Sequence, residues 1–147
     1  MKQAIGWREW VALPDIGIDR IKAKVDTGAR TSALHAFSVE AFEETGRRMI
    51  RFGVHPKQRN TELEVWSVAP VKDVRIVRDS GGHEEERFVI ETRVIVGTLE
   101  KPIEVTLTAR DNMGFRMLLG RTALKPHFVV DPARSYLAGK RRRKERQ

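Results

Sequence analysis

The chain reads as all-β, a barrel or a sandwich. Three observations predict it. Apolar and polar residues alternate in many short runs, turn residues separate those runs at regular intervals, and helical periodicity is scarce. Trp7 to Leu13 alternates and stops at the turn Pro14-Asp15-Ile16-Gly17. Ile21 to Val25 alternates and delivers Asp26 at its end. Ser32 to Ala36 predicts a short strand after a loop, and Val39 to Glu43 another, closed by Glu44-Thr45-Gly46. Met49 to Val54 alternates again, and the polar stretch Pro56 to Glu62 predicts a loop.

Val65 to Val68 and Val74 to Val77 are strand-like. Between Arg78 and Arg87, Gly81 and Gly82 permit the positive φ angles of a hairpin turn. Phe88-Val89-Ile90 and Arg93 to Gly97 predict two further runs, and Ile103 to Ala109 alternates. Asp111-Asn112-Met113-Gly114 predicts a turn and Phe115 to Leu119 a strand. One short helix is expected between Gly120 and Pro126, because proline ends what glycine opens. Phe128-Val129-Val130 and Ser135-Tyr136-Leu137, joined by Asp131-Pro132-Ala133-Arg134, predict a closing hairpin. No internal repeat is visible.

At 147 residues, 40% hydrophobic and 33% charged, the chain suits one globular domain with a real core. It has no cysteine, so disulfides and thiolate metal sites are excluded, in keeping with a reducing compartment. The first ten residues carry charge early and do not form a secretory signal. No apolar stretch is long enough to span a membrane. The expected location is the cytoplasm, without membrane contact. Net charge is +8, and Lys140 to Arg146 holds six basic residues and one acid, leaving +3 for the rest. The expected organisation is therefore a domain at 1–139 and a basic tail at 140–147. The tail reads as a solvated terminus, or as an arm for RNA, a ribosomal surface or an acidic partner. It has no aromatic residues, so base stacking there is not expected.

The most informative element is Asp26-Thr27-Gly28, set at the end of an alternating run and followed by Ala29. A carboxylate at a strand end, a small hydroxyl and a glycine suit an acid pair that activates water. The plainer reading is a turn: Asp26 caps its own backbone, Thr27 is a turn hydroxyl, and Gly28 supplies a positive φ. A second element, Met117-Leu118-Leu119-Gly120-Arg121, lies far downstream. The histidines His35, His55, His83 and His127 form no close pair and no His-Glu-x-x-His motif. There is no phosphate-binding glycine loop ending in Lys-Ser/Thr, and Ser32 has no evident triad partners. No metal and no cofactor are expected.

Val25-Asp26-Thr27-Gly28-Ala29 with Leu118-Leu119-Gly120-Arg121 resembles retropepsins. The match extends over nearly the whole chain. Ile5 to Trp10, Lys22 to Ala36, Arg116 to Arg121 and Val130-Asp131-Pro132 resemble the bacterial retropepsin-like family often labelled ATP-dependent zinc proteases. That family is associated with the ATP-grasp glutamate ligases that extend ribosomal protein S6. The resemblance implies a retropepsin-like acid-protease closed barrel with one short helix near the C-terminal third. It implies a homodimer, since one chain supplies one Asp-Thr-Gly and a second must come from a second copy. The two Asp26 carboxylates would share one proton and activate water, the aspartic-protease pattern of paired carboxylates. Thr27 would hold the two loops in register, and Gly28 would admit the substrate backbone.

Ala29, Arg30, Arg121 and the hairpin glycines Gly81 and Gly82 are implied on the substrate side, the hairpin as a flap. Its plainer reading is an exposed hairpin. The chain departs from viral retropepsins at Arg30, where an acid normally pairs with the arginine of Gly-Arg. With Arg121 nearby, a carboxylate such as Asp111 or Glu9, or a substrate carboxylate, is expected between them. The implied activity is hydrolysis of acidic or glutamate-rich peptides. The alternative is a non-catalytic binding module for a glutamylated protein or a ligase partner. A third reading is an RNA- or ribosome-associated barrel led by the basic tail.

Overall fold

The computed structural model describes residues 2–58, 60–78, 81–109 and 114–139. They form β1 (Gln3–Ile5), β2 (Arg8–Leu13), β3 (Ile18–Asp26), β4 (Ser32–His35), β5 (Ser38–Glu44) and β6 (Arg47–Val54). Then come β7 (Val65–Pro70), β8 (Asp73–Arg78), β9 (Glu84–Val96), β10 (Leu99–Thr108), β11 (Met117–Gly120), helix α1 (Arg121–Leu124) and β12 (Phe128–Val130). The architecture is mostly β, with the one short helix between Gly120 and Pro126. That helix is far too short to cross a membrane. The expected turn at 111–113 and the basic tail lie outside the described residues.

Six strands close a mixed barrel in the order β10-β4-β11-β3-β2-β9, and β9 returns to β10 from Val96↔Leu99 to Val89↔Thr106. Alternation explains the closure. Ile21, Ala23 and Val25 of β3 point inward with Val11 and Leu13 of β2, Leu34 of β4 and Met117 and Leu119 of β11. The meander β5-β6-β7 packs its inner face, Ile50, Phe52 and Val54, into the same core. Each such fully buried side chain contributes on the order of 1.5–3 kcal/mol.

Three segments differ from expectation. The closing hairpin does not form. Instead β12 pairs in parallel with β1, from Gln3↔Phe128 to Ile5↔Val130. Asp131 then turns the chain, its carboxylate accepting the Ala133 N–H at 3.0 Å. The following residues run beside β2, where the Tyr136 N–H reaches the Arg8 carbonyl at 3.0 Å. β1 already holds an edge of β12, and β2 offers the unpaired backbone that the last segment fills. The stretch around Glu91-Thr92-Arg93 is not a break, so β9 is one strand of 13 residues. Its charges stand at outward positions, Glu91 by Lys72 at 3.7 Å and Arg93 on Asp15 at 2.7 Å. Finally, the N-terminal strand β1 has no counterpart in the sequence reading.

Ion pairs gird the β8–β10 side. Glu104 accepts from Lys72 at 3.1 Å and from Arg75 at 3.0 Å. The Lys72 hydrogen bond, then that of Arg75, holds the Glu104 carboxyl below its ordinary range. The Arg93 hydrogen bonds do the same for Asp15. A carboxyl lowered in the folded state contributes stability above its unfolded value and loses it as pH falls through its folded value. The urea midpoint should therefore fall on acidification towards about pH 3. Glu104→Gln should flatten part of that fall; an identical pH profile in the variant would remove Glu104 from the account.

Candidate active site

β11 lies between β3 and β4, parallel to the first and antiparallel to the second. Gly120 pairs with Asp26, so residues 27–31 cross over the end of β11 to reach β4. This loop carries the catalytic candidates. Asp26 is half-buried, while Thr27 and Gly28 are exposed. The Gly28 N–H donates to Asp26 Oδ1 at 2.9 Å, and the Ala29 N–H to the Asp26 carbonyl at 3.2 Å. The self-capping turn and the chemical role are thus compatible. One carboxylate oxygen is fixed by the backbone, and the carboxylate as a whole is held in one orientation. Gly28 does not have the positive φ of the turn reading. Its need for a small residue is steric: a Cβ there would stand 3.2 Å from Asp26 Oδ1.

Arg121 and Thr122 hold the loop from below. The Arg121 guanidinium donates to the carbonyls of Thr27 at 3.4 Å and Gly28 at 3.3 Å. The Arg121 N–H reaches the Ala29 carbonyl at 2.8 Å, and the Thr122 N–H and hydroxyl reach that of Arg30 at 3.1 and 2.8 Å. Four consecutive carbonyls, from Thr27 to Arg30, are held by two residues. Arg121 therefore positions the loop, and Arg30 is exposed beside it. Glu9 does not fill the space between these arginines. It is fully buried on the inward side of β2, opposite Ala23, accepting the N–H groups of Gly6, Leu137 and Ala138 at 2.6, 2.8 and 3.0 Å. Asp111 lies outside the described residues.

Gly120 is where this arrangement tolerates least. A Cβ there would lie 2.6–2.9 Å from the Thr31 backbone. Its N–H donates to the buried Ser32 hydroxyl at 3.0 Å. Gly120→Ala is expected to destabilise by about 1–3 kcal/mol through overpacking. Ser32→Ala is expected to cost a similar ~1–3 kcal/mol by stranding the buried Gly120 N–H. Urea denaturation measures both, and wild-type stability in Gly120→Ala would refute the close approach.

Gly81 and Gly82 lie at the turn of the β8–β9 ribbon, Gly82 with φ +88°. This ribbon extends past the last β9–β10 pair, Val89↔Thr106, with no third strand among the described residues. Glu84 and Glu85, which follow, have structural partners. Glu84 pairs with Arg78 across the ribbon, and Glu85 accepts from Arg87 at 3.0 Å and from Thr108 at 3.3 Å. The histidines occupy separate elements. His35 is buried on β4, and His55 stacks on Phe37. Among the described residues no three His, Cys, Asp or Glu side chains gather as metal ligands would.

No sequence motif marks Ser32, Thr122 or Glu9 as a structural anchor. For Glu9 the signal was present: it holds an inward position, with Val11 and Leu13, in the alternation of β2.

A closed mixed barrel with Asp-Thr-Gly on a loop braced by Gly-Arg defines an acid-protease fold. The chain belongs to the RimB-like family, described as retropepsin-like aspartic endopeptidase RimB, whose model matches residues 4–141. Among curated proteins it is 44% identical over 132 residues to a probable alpha-L-glutamate ligase of Desulfotalea psychrophila, covering 90% of this chain and 28% of the relative. It is 44% identical over 138 residues to another from Parasynechococcus marenigrum, covering 94% of this chain and 30% of that protein. The chain thus spans less than a third of the length of these relatives. Among solved structures, a Legionella pneumophila protein of unknown function, Lpg0085 (DUF785), matches with TM-score 0.76 at 27% identity. The match covers 94% of this chain and 99% of that one.

Proposed function

We propose that the chain is one subunit of a homodimeric aspartic peptidase, acting in the cytoplasm on acidic, glutamate-rich peptides. The observation that carries this reading is the Asp26 carboxylate, oriented by the Gly28 N–H on a loop whose next four carbonyls are clamped. Such bracing gives the fixed geometry that acid–base chemistry needs.

In the proposed dimer, two Asp26 side chains face each other across the two-fold axis and share one proton. The ionised carboxylate takes a proton from water as the water oxygen attacks the scissile carbonyl carbon. The protonated carboxyl donates to the carbonyl oxygen, giving a neutral tetrahedral diol. Collapse returns a proton to the leaving amide nitrogen and breaks the C–N bond. Arg121 keeps the loop in place; Ala29 and Arg30 line the substrate side, and the Gly81-Gly82 ribbon closes over it. The glutamate preference is supported by the relatives named as alpha-L-glutamate ligases, of which a domain like this one forms part.

The same relatives favour one second reading, a binding module that presents a glutamylated protein to a ligase without cutting it. Hydrolysis of peptides with and without glutamate extensions, by wild type and Asp26→Asn in parallel and with a chelator arm, separates the two. Cleavage that needs Asp26 and ignores chelator supports the peptidase. Cleavage that survives Asp26→Asn sinks it, and binding of the extended peptide without cleavage supports the module.

A further inference from the structure

We infer that the outward face of the β2–β3 hairpin is a binding track for an extended polycarboxylate peptide, leading to the Asp26 loop. Its direction towards a cleavage point rests on the peptidase reading; the binding itself does not. Because Ile21, Ala23 and Val25 point inward, Arg20, Lys22, Lys24 and Asp26 share the outward face of β3. Same-face residues on a strand recur about every 6.7 Å. An extended peptide repeats its own alternate carboxylates at the same interval, so cations and anions keep step along the face.

Three cations of this hairpin, Arg8, Lys22 and Lys24, lack carboxylate counter-ions among the described residues. Arg8 of β2 stands directly opposite Lys24, and Trp10 opposite Lys22. Like charges placed directly opposite repel and call for an anion between them. Among the described residues no carboxylate lies within ion-pair distance of Arg8, Lys22 or Lys24. On the β8–β10 side, by contrast, Lys72, Arg75, Arg78, Arg87 and Arg93 each hold one. The acid of β2, Glu9, is turned inward and committed to backbone N–H groups.

Aromatic rings fix these cations in place. The Arg8 guanidinium lies 4.7 Å from the Trp7 ring and 5.0 Å from the Tyr136 ring, with Nε on the Ser135 hydroxyl at 3.1 Å. Arg20 and Lys22 lie over Trp10 at 4.4 and 5.2 Å, and Trp10 stacks with Tyr136 at 5.8 Å. Cations held over rings lose less freedom on binding. The same contacts occupy the ring faces that nucleobases would need, which favours a peptide over a nucleic acid.

The test titrates full-length Asp26→Asn protein, where no substrate is cut, with poly-L-glutamate and with a single-stranded RNA oligonucleotide, at low and high salt. Lys22→Glu with Lys24→Glu is expected to weaken poly-L-glutamate binding at least about tenfold, and the Gln pair to weaken it less. The loss should shrink at high salt. With Asp26 intact, the lysine changes should raise KM for a glutamate-extended peptide and leave kcat unchanged. Circular dichroism confirms that both variants fold. Unchanged affinity in the Glu pair overturns the track, as does tighter binding of RNA through the same lysines. If hydrolysis proves independent of Asp26 while binding still needs Lys22 and Lys24, the peptidase reading falls and the track stands. If hydrolysis needs Asp26 but ignores both lysines, only the track falls.

Discussion

Asp26→Asn is expected to cut peptide hydrolysis by roughly 10²–10⁴-fold, the usual reach of a positioned acid or base. Its unfolding midpoint should stay at the wild-type value. Asparagine keeps an oxygen for the Gly28 N–H, now at 2.9 Å, so the turn and its clamp survive. What it loses is the ionisable oxygen proposed to take the proton from water. A mixing experiment sharpens the prediction, because each site in the proposed dimer draws on two chains. Wild type incubated with excess Asp26→Asn should lose activity as mixed dimers form. Initial rates on a glutamate-extended peptide, with unfolding followed in parallel, provide the measurement. Full activity in the variant, or wild-type rates undisturbed by mixing, would remove the shared dyad.

Glu9→Ala should be the most destabilising single change, at about 3–6 kcal/mol. Three backbone N–H groups, those of Gly6, Leu137 and Ala138, end on this buried carboxylate and would be left without an acceptor. Domains of this kind have only about 5–15 kcal/mol in total, so a large unfolded fraction is expected. Glu9→Gln should cost less, about 1–3 kcal/mol. Its carbonyl oxygen can serve the Gly6 and Leu137 N–H groups, while its amide confronts that of Ala138. Urea unfolding gives the order Ala, Gln, wild type. Amide exchange should rise first at Gly6, Leu137 and Ala138. Wild-type stability in Glu9→Ala would refute the role.

The strands that alternate over five or more residues were legible because burial on one face writes a period of two into the sequence. β2, β3, β6 and β10 are examples. The short helix was legible from Gly120 and Pro126, and the site loop from Asp26-Thr27-Gly28. β1 and β12 were not, since three residues carry no period and a parallel pairing leaves no turn between its strands. The continuity of β9 was hidden because Glu91 and Arg93 break the apolar run at outward positions, where ion pairs with Lys72 and Asp15 accept them. The clamp was half legible. Gly120-Arg121 marked it by motif, but the carbonyls it holds belong to backbone, which side-chain patterns do not report. The departure at Arg30 raised a question about its counter-charge; the structure excludes Glu9 as the answer and leaves Arg30 exposed.

The pairing of β1 with β12 also sets an order of events during synthesis. β1 is made well before its partner, which lies far downstream, and so is Glu9. Long-range contacts of this kind carry a loop-closure cost before they yield any stabilisation. The braces of the Asp26 loop, Gly120 to Thr122, arrive late as well. A nascent or truncated chain therefore carries Asp26 on an unbraced loop. Strand order alone leaves the Asp26 loop unbraced until Gly120 to Thr122 have been made.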